Sequence, residues 1–289
     1  MTSLLGASTA FHHRLRNLLH TVLLLAAMAA LAGFLGWALF GTTAVLWAAL
    51  IGPVVVAFVR EVPPSVVLRI NGAKEIALGE APALGTLVKA LARRAGLPRV
   101  PRLYWLPSKV MNAFAAGSPS NAAIAVSDGM LRAMDGRELA GVLAHEFAHL
   151  RANDLRVMTL AAVVARMTAV LSMIGRVMLI VLIPVALVTS VNVPWLALLA
   201  LMVSPWLSMA LQLGLARTRE YDADRGAAEL SGDPRGLAMA LEKLERQQGG
   251  WMERMLAMRV PAWLRTHPSI RERIRRLLEL ERETGISLA

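Results

Sequence analysis

The apolar positions of this chain are concentrated in two long runs that are separated by polar stretches. Neither run, Asn17–Val59 or Val177–Ala216, contains an Asp, Glu, Lys or Arg residue. A membrane-spanning helix needs about 20 apolar residues, so each run is long enough for two helices with a turn between them. We therefore predict four transmembrane helices in two hairpins, with the third at about 168–190 and the fourth at about 195–215.

Turn-forming residues divide both runs. In the first run the segment Gly41–Thr43 lies between Trp37 and Trp47, and tryptophan commonly anchors helices at the membrane interface. In the second run the segment TSVNVPW combines Ser, Asn and Pro, which are typical of turns. We also expect Pro184 to interrupt the third helix, because proline removes a backbone hydrogen bond.

Basic residues lie on only one side of this arrangement. Lys and Arg flank the apolar runs in all three polar segments, whereas both predicted hairpin tips contain none. By the positive-inside rule, the polar segments are therefore cytoplasmic. The predicted organisation is a cytoplasmic N-terminus (1–16), a hairpin (17–59), a cytoplasmic α+β part (60–155), a second hairpin (156–216) and a cytoplasmic helical part (217–289).

The central polar segment has the pattern of a mixed α/β domain. Runs of β-branched and aromatic residues predict strands at Val66–Ile70 and Arg102–Leu106, and an amphipathic pattern predicts a helix over Ala81–Leu97. The segments Lys109–Gly117 and Asn121–Ser127 predict two further strands that are joined by the turn SPS.

The C-terminal polar segment is predicted to be helical. Asp233 and Pro234 have the chemistry of an N-cap followed by a first-turn proline, and the sequence QQGG is expected to end that helix. A second helix is predicted to begin at Pro268.

Composition agrees with a membrane protein and limits its chemistry. Hydrophobic residues make up 56% of the chain and the mean hydropathy is +0.53, above the level of a soluble domain of this length. The absence of cysteine excludes disulfides and thiolate metal sites. The net charge of +11 fits a lipid surface; without a basic arm or a Gly-rich phosphate loop, we predict no nucleic-acid partner.

Two of the six histidines lie in the segment GVLAHEFAHLRAND. Upstream, Asp135 and Glu138 have the spacing of a capping box, which predicts a helix that begins at Gly136. On this helix His145 and His149 are four residues apart and share one face, so both imidazoles can reach a single metal ion.

Glu146 directly follows the first histidine. Its carboxylate lies on the flank of the same face, where it can take a proton from water without binding the metal, as in zinc metalloproteases. An ordinary solvated amphipathic helix is the alternative, but it does not explain the histidine pair. Ala152 and Leu155 replace the glycine and histidine of metzincins and so exclude that class.

A zinc site of this kind needs a third protein ligand and an open position. The candidates are Asp154, Glu220, Asp222, Asp224 and His267. The second predicted hairpin returns the chain to the same side of the membrane, on a helix that carries Glu220 and Asp224 on one face. We predict that Glu220 is the ligand and that Asp224 accepts the second N–H of a ligand histidine. The alternative for these carboxylates is an ion pair with a neighbouring arginine.

These segments together resemble the HtpX-type membrane zinc metalloproteases, which are relatives of the CAAX prenyl proteases. The matching segments are the N-terminal hydrophobic hairpin, MNAFAAG, AAIAVSDGML, HEFAH with Asp154 five residues later, two further apolar spans, REYDADRGAAEL and THPSIRERI. The resemblance implies a mainly α membrane protein with a cytoplasmic α+β zincin-like metalloprotease domain. It also implies a multi-pass location in a bacterial cytoplasmic (inner) membrane.

The resemblance assigns roles to individual residues. It implies that His145, His149 and Glu220 bind one Zn²⁺ per chain, that Glu146 is the general base, and that Asp154 joins Asp224 in supporting the ligands.

A substrate-binding strand is implied next to the metal. Asn112, Ala113, Phe114 and Ala115 would form an edge strand whose backbone pairs with an extended substrate, although ordinary sheet core is the alternative for these residues. His267 would donate a hydrogen bond to the oxyanion, with helix capping as the alternative.

The implied reaction is hydrolysis of peptide bonds in misfolded or damaged membrane proteins or unfolded polypeptides at the cytoplasmic face. Specific processing of a membrane or lipidated precursor is one alternative, and a catalytically silent membrane adaptor of the same fold is another. A zinc transporter is disfavoured because the predicted spans offer only His20 and arginines as ionisable groups.

Overall fold

The computed structural model describes residues 2–43, 46, 50, 63–189, 195–255 and 269–284. The chain divides into two compact units, the first from residues 1–60 and 158–218 and the second from residues 61–157 and 219–289. In chain order the elements are α1 (Thr2–Phe40), α2 (Pro64–Ile70), β1 (Lys74–Ile76), α3 (Pro82–Arg94), β2 (Arg102–Leu106), β3 (Ala113–Ser118), β4 (Asn121–Ser127), α4 (Asp128–Ala133), α5 (Gly136–Ala152), α6 (Asp154–Val188), α7 (Trp195–Ser231), α8 (Pro234–Met255) and α9 (Ile270–Thr284).

Long apolar helices make up the first unit. Among the described residues, three helices are long and apolar enough to cross a membrane: Leu18–Phe40, Asp154–Val188 and Trp195–Ser231. They correspond to the first, third and fourth predicted spans, and Gly41 turns the chain after α1 with a φ of 69°. The second predicted span and most of the TSVNVPW turn lie outside the described residues.

The prediction that Pro184 interrupts the third helix is wrong, because α6 is continuous over 35 residues. Pro184 lies in the last turns of that helix, where the loss of one backbone hydrogen bond affects only a short remaining stretch.

Helices α6 and α7 approach each other closely through small residues. The hydroxyl of Ser172 donates to the Leu201 carbonyl at 2.6 Å, and a Cβ placed on Gly175 would lie 2.7 Å from the Leu201 side chain. Small residues and hydroxyls at a helix contact are typical of packing between membrane helices, where hydrophobicity does not drive association.

The second unit contains a four-stranded sheet with the order β1-β2-β4-β3. Strands β2 and β4 are parallel, and the other two pairs are antiparallel. Helix α5 is packed against this sheet, and Ile124, Leu143 and Phe147 are completely buried in the common core. Gly141 lets α8 approach α5, since a Cβ there would lie 2.6 Å from the Leu237 backbone nitrogen.

The strand predictions for Arg102–Leu106 and Asn121–Ser127 and the helix start at Gly136 are confirmed. The strand predicted over Lys109–Gly117 is confirmed from Ala113, as β3, whereas its first four residues, 109–112, are not in a strand. The helix predicted over Ala81–Leu97 forms as the slightly shorter α3.

Three details of the second unit differ from the prediction. The segment Val66–Ile70 is helical rather than extended, because Pro64 occupies the first turn of α2 and its fixed φ favours a helix start. Strand β1 was not predicted. The sequence QQGG does not end α8, which continues to Met255 despite the low helix propensity of glycine.

The last helix, α9, begins at Ile270, where the Ser269 hydroxyl accepts a hydrogen bond from the Glu272 N–H at 3.3 Å. Pro268, the predicted start, lies outside the described residues.

Candidate metal centre

The start of α5 is fixed by the predicted capping box. The Asp135 carboxylate accepts from the N–H of Glu138, and the Glu138 carboxylate accepts from the N–H of Asp135, both at 2.9 Å. Lys243 pairs with Glu138 at 2.6 Å, which compensates the buried charge of that carboxylate. This cap fixes where α5 begins, and the four-residue spacing of His145 and His149 on that helix places them on the same face.

The turn at the end of α5 places Asp154 next to His149 on that helix. Asn153 adopts the left-handed conformation (φ 55°, ψ 38°), which stops α5 and redirects the chain into α6. As a result, the Asp154 carboxylate lies 2.7 Å from His149 Nδ1.

Helix α7 supplies the carboxylates that face His145. Asp224 Oδ1 is 3.1 Å from His145 Nδ1, and Glu220 Oε2 is 3.5 Å from His145 Nε2. The Nε2 atoms of His145 and His149 lie 3.2 Å apart. Candidate ligand atoms of His145, His149 and Glu220 all lie within 4.8 Å of one another.

This donor set fits a zinc ion. Ligand atoms bound at about 2.0–2.1 Å in a tetrahedron lie about 3.4 Å apart, close to the two separations that involve His145 Nε2. Each histidine also has an aspartate at Nδ1, the arrangement that fixes the tautomer in which Nε2 offers its lone pair to a metal.

The electrostatics of His145 reflect the acids around it. Burial lowers the pKa of His145, but hydrogen bonds with Asp224 and Glu220 outweigh burial and raise that pKa to about 9. A metal ion needs the neutral imidazole, so metal and proton compete for this side chain.

Glu146 lies beside strand β3. Its Oε2 accepts a hydrogen bond from the backbone N–H of Ala115 at 2.9 Å. Strand β3 is at one edge of the sheet, and the Ala115 N–H points away from the sheet, to Glu146. Backbone groups two residues apart on a strand point to the same side, so those of Ala113 also point outward.

The other residues of the predicted substrate strand lie around this edge. Asn112 precedes β3 and is tied to the sheet by the Ser127 hydroxyl, which accepts its N–H at 2.9 Å. Phe114 is half-buried and packs against the cluster that contains Tyr104 and Leu106.

Two arginines at this centre form ion pairs that were not predicted. Arg273, on α9, binds Asp224 through two nitrogens and also contacts Glu220, while Arg219 forms an ion pair with Asp154. A sequence signal does exist for Arg273: it falls within the apolar stripe of α9 that includes Ile270, Ile274 and Leu277. His267 lies outside the described residues.

A capped helix with two convergent histidines, an adjacent glutamate and a third carboxylate defines a metallopeptidase-type centre, here in a chain with long apolar helices. The chain belongs to peptidase family M48, whose model matches residues 79–281. It is therefore a membrane metalloprotease of that family, and the resemblance to HtpX-type proteases is confirmed by curated relatives.

Three relatives, each described as a protease HtpX homolog, illustrate the similarity. The protein of Salinibacter ruber is 38% identical over 236 residues, which are 80% of both chains. That of Acaryochloris marina is 42% identical over 218 residues, 71% of this chain and 74% of the relative. The Paraburkholderia phytofirmans protein is 32% identical over 293 residues, 92% of this chain and 98% of the relative.

Among solved structures, the crystal structure of S. mikatae Ste24p is similar with a TM-score of 0.45 and 18% identity. The match covers 92% of this chain and 66% of that chain.

Proposed function

We propose that this protein is a zinc-dependent endopeptidase that hydrolyses misfolded or damaged membrane proteins at the cytoplasmic face of a bacterial inner membrane. The observation that carries the catalytic part is the convergence of His145, His149 and Glu220 donor atoms within 4.8 Å of one another. Two imidazoles and one carboxylate are the three-ligand set of catalytic zinc sites, which keep a fourth position open.

In this proposal His145, His149 and Glu220 hold one Zn²⁺. A zinc ion bound by this set would act as a Lewis acid that polarises the scissile carbonyl and makes water a stronger acid. Asp224 and Asp154 keep the protons of the two imidazoles on Nδ1, so that both Nε2 atoms remain available as donors.

Glu146 is the proposed general base. It takes a proton from the attacking water and delivers it to the leaving amine. The N–H of Ala115 donates to Glu146 Oε2 at 2.9 Å, and this hydrogen bond restricts the rotamers of the carboxylate.

The edge of β3 is the proposed substrate-binding strand. An extended segment that pairs with the outward backbone groups of Ala113 would pass directly by Glu146, because Ala115 is already hydrogen-bonded to it. Backbone pairing of this kind requires an extended substrate and depends little on the amino-acid sequence of that substrate. This requirement supports unfolded or damaged proteins as the substrate class, with Asn112 and Phe114 as flanking contacts.

Two parts of the proposal rest on sequence alone. The cytoplasmic orientation follows from the distribution of Lys and Arg around the apolar runs. His267 remains the proposed donor to the oxyanion; its replacement by Ala is expected to lower kcat and leave bound zinc unchanged.

The catalytic assignment is tested by separating metal binding from cleavage. Purified Glu146→Gln is expected to retain one zinc per chain and to lose cleavage of an unfolded reporter protein, whereas His149→Ala loses both. Glu229→Gln on α7, which removes a pairing with Arg151, is the matched control and keeps both. Cleavage at the wild-type rate by Glu146→Gln would make the base assignment wrong.

The substrate class is tested by comparing membranes that contain the wild-type protein or Glu146→Gln by quantitative proteomics. Accumulation of many unrelated membrane proteins is expected with Glu146→Gln. A single accumulating precursor would favour specific processing instead, and identical proteomes together with no activity in vitro would favour a silent adaptor.

A further inference from the structure

The two candidate ligand histidines are supported in the same way. His149 faces Asp154, and Asp154 forms an ion pair with Arg219; His145 faces Asp224, and Asp224 binds Arg273. Two histidine–aspartate–arginine chains therefore converge on one centre. Both guanidinium groups are largely buried, with 12% of the Arg219 side chain and 8% of the Arg273 side chain exposed.

Arg273 reaches more of the centre than Arg219. Its Nε lies 2.8 Å from Asp224 Oδ2 and its Nη2 lies 2.6 Å from Asp224 Oδ1, which is a bidentate pairing. Its Nη1 lies 3.0 Å from Glu220 Oε2. The Arg273 guanidinium thus contacts both Glu220, a candidate ligand, and Asp224, the partner of His145.

Arg219 holds only one of the two aspartates that support the histidines. It pairs with Asp154 and, at 3.3 Å, with Asp222, whose side chain is 19% exposed. Since Asp154 is the acceptor for His149, Arg219 acts on that ligand alone.

We propose that Arg273 and Arg219 are positioning residues that hold the three metal ligands in place, with Arg273 holding Glu220 and His145 and Arg219 holding His149. The proposal rests on the proposed metal site. A planar guanidinium with several fixed N–H groups can bind both oxygens of a carboxylate, whereas an ammonium cannot reproduce that geometry.

A competing role for Arg273 is that of a cation that opposes the metal. Its Nη2 also lies 3.4 Å from His145 Nε2 and 3.5 Å from His145 Nδ1. These separations are much longer than the 2.6 Å to Asp224, so the carboxylates are its main partners. The two roles predict opposite changes in metal affinity. If Arg273 positions the ligands, its variants bind metal more weakly; if Arg273 competes with the metal, its variants bind metal more tightly.

The test measures zinc affinity in full-length protein that carries Glu146→Gln, so that cleavage does not affect the readout. Arg273→Lys and Arg273→Gln are both expected to weaken zinc binding about 10–100-fold in competition with a chromophoric chelator. Lysine keeps the positive charge but cannot make the two-point contact with Asp224, so the charge alone is not expected to restore zinc binding. Arg219→Lys is expected to show a smaller loss, because it loosens one ligand instead of two.

Cobalt(II) substitution supplies a second readout that does not depend on affinity. At saturating Co²⁺, the d–d absorption of the Arg273 variants should differ from that of the parent protein, because the angles set by Glu220 and His145 change. Arg271→Lys and Arg271→Gln are the matched controls on α9; Arg271 is exposed and, among the described residues, pairs with Glu245 at 3.7 Å. They should leave both readouts unchanged.

The outcomes separate this proposal from the function on which it rests. Unchanged or tighter zinc binding in the Arg273 variants, with the parent cobalt spectrum, overturns the positioning role. Undiminished zinc binding in His149→Ala would instead overturn the ligand assignment itself. If the Arg273 variants do not fold, Arg219→Lys decides the question, and an unchanged affinity there overturns the proposal.

Discussion

The two histidines of α5 are four residues apart, yet the groups that support them come from very different parts of the chain. His149 is paired with Asp154, five residues later, through a single turn at Asn153. His145 is surrounded by Asp224 from α7 and by Arg273, which is 128 residues away. One half of the centre is therefore built by local structure, and the other requires α7 and α9 to pack against α5.

This difference indicates what limits assembly of the metal site. The local half needs only α5 and the start of α6, whereas the remote half depends on contacts that close long loops and so cost chain entropy. We expect disturbances of the remote half to have larger effects than equivalent disturbances of the local half.

The largest effect is expected from Glu220→Gln. Loss of the anionic ligand should reduce zinc affinity by more than about 100-fold, beyond the range for residues that only support ligands. Zinc content after dialysis, measured by elemental analysis, is the readout, and Glu229→Gln is the control on the same helix. Zinc retained at one per chain in Glu220→Gln would show that the remote half does not supply a ligand.

The next largest effect is expected when the two aspartates that face the histidines, Asp224 and Asp154, are replaced by asparagine. Asp224→Asn removes the bidentate partner of the buried Arg273 and leaves it the contact with Glu220; breaking a buried ion pair of this kind typically costs about 3–5 kcal/mol of unfolding free energy. Asp154→Asn leaves Arg219 with Asp222 and should destabilise the protein less.

Thermal unfolding and zinc competition of these two variants measure the difference. Both should bind zinc about 10–100-fold more weakly, with Asp224→Asn at the upper end. Equal losses of stability would mean that the local and remote halves contribute alike.

A smaller effect is expected at the turn that creates the local half. Asn153 has a φ of 55°, where a β-branched residue is strained, so Asn153→Val should cost about 1–2 kcal/mol while Asn153→Gly is tolerated. The change should weaken the His149–Asp154 pairing and leave Asp224 unaffected. Amide or imidazole NMR shifts of His149 and His145 would test this selectivity.

The smallest effect concerns the ion pair that links the start of α5 to the start of α8. Arg137 binds Asp233 at 2.8 Å, and this hydrogen bond lowers the pKa of Asp233. A depressed carboxyl pKa contributes stability that is complete above the unfolded pKa of about 3.9 and is lost as the pH falls through the folded pKa.

Because 57% of the Arg137 side chain is exposed, we expect Arg137→Gln to lower the unfolding free energy only slightly at pH 7. The cost should vanish at a pH well below 4. Denaturant unfolding at both pH values is the measurement, with Arg271→Gln, which removes an exposed arginine of α9, as the control. A cost that grows as the pH falls contradicts the assignment.

Local signals account for most of what the sequence predicted. The capping box fixed the start of α5, and the spacing of His145 and His149 placed both rings on one face, because both features depend on residues within one or two turns. The prediction that Glu220 and Asp224 would face α5 used topology, and the structure brings them to His145.

What the sequence did not predict depends on long-range packing. Arg273 is one of four arginines in the first two turns of α9. Its place in the apolar stripe separates it from exposed Arg271 and Arg275, but its pairing with Asp224 depends on the packing of α9 against α7. The prediction of a strand at Val66–Ile70 is wrong because its β-branched residues favour a strand, whereas proline at the first position of the segment favours a helix. Three-residue β1 is recognisable only from its pairing with β2.

The hydrogen bond from Ala115 to Glu146 gives the centre a built-in spectroscopic reporter. An amide on the outer side of an edge strand normally exchanges its proton with solvent quickly, but this one is held by a carboxylate. Its deuterium uptake should be slow in the wild-type protein and should accelerate when Glu146 is replaced by Ala. The exchange rate of a single amide proton would therefore report whether the proposed base is held against β3 in a protein that is not turning over.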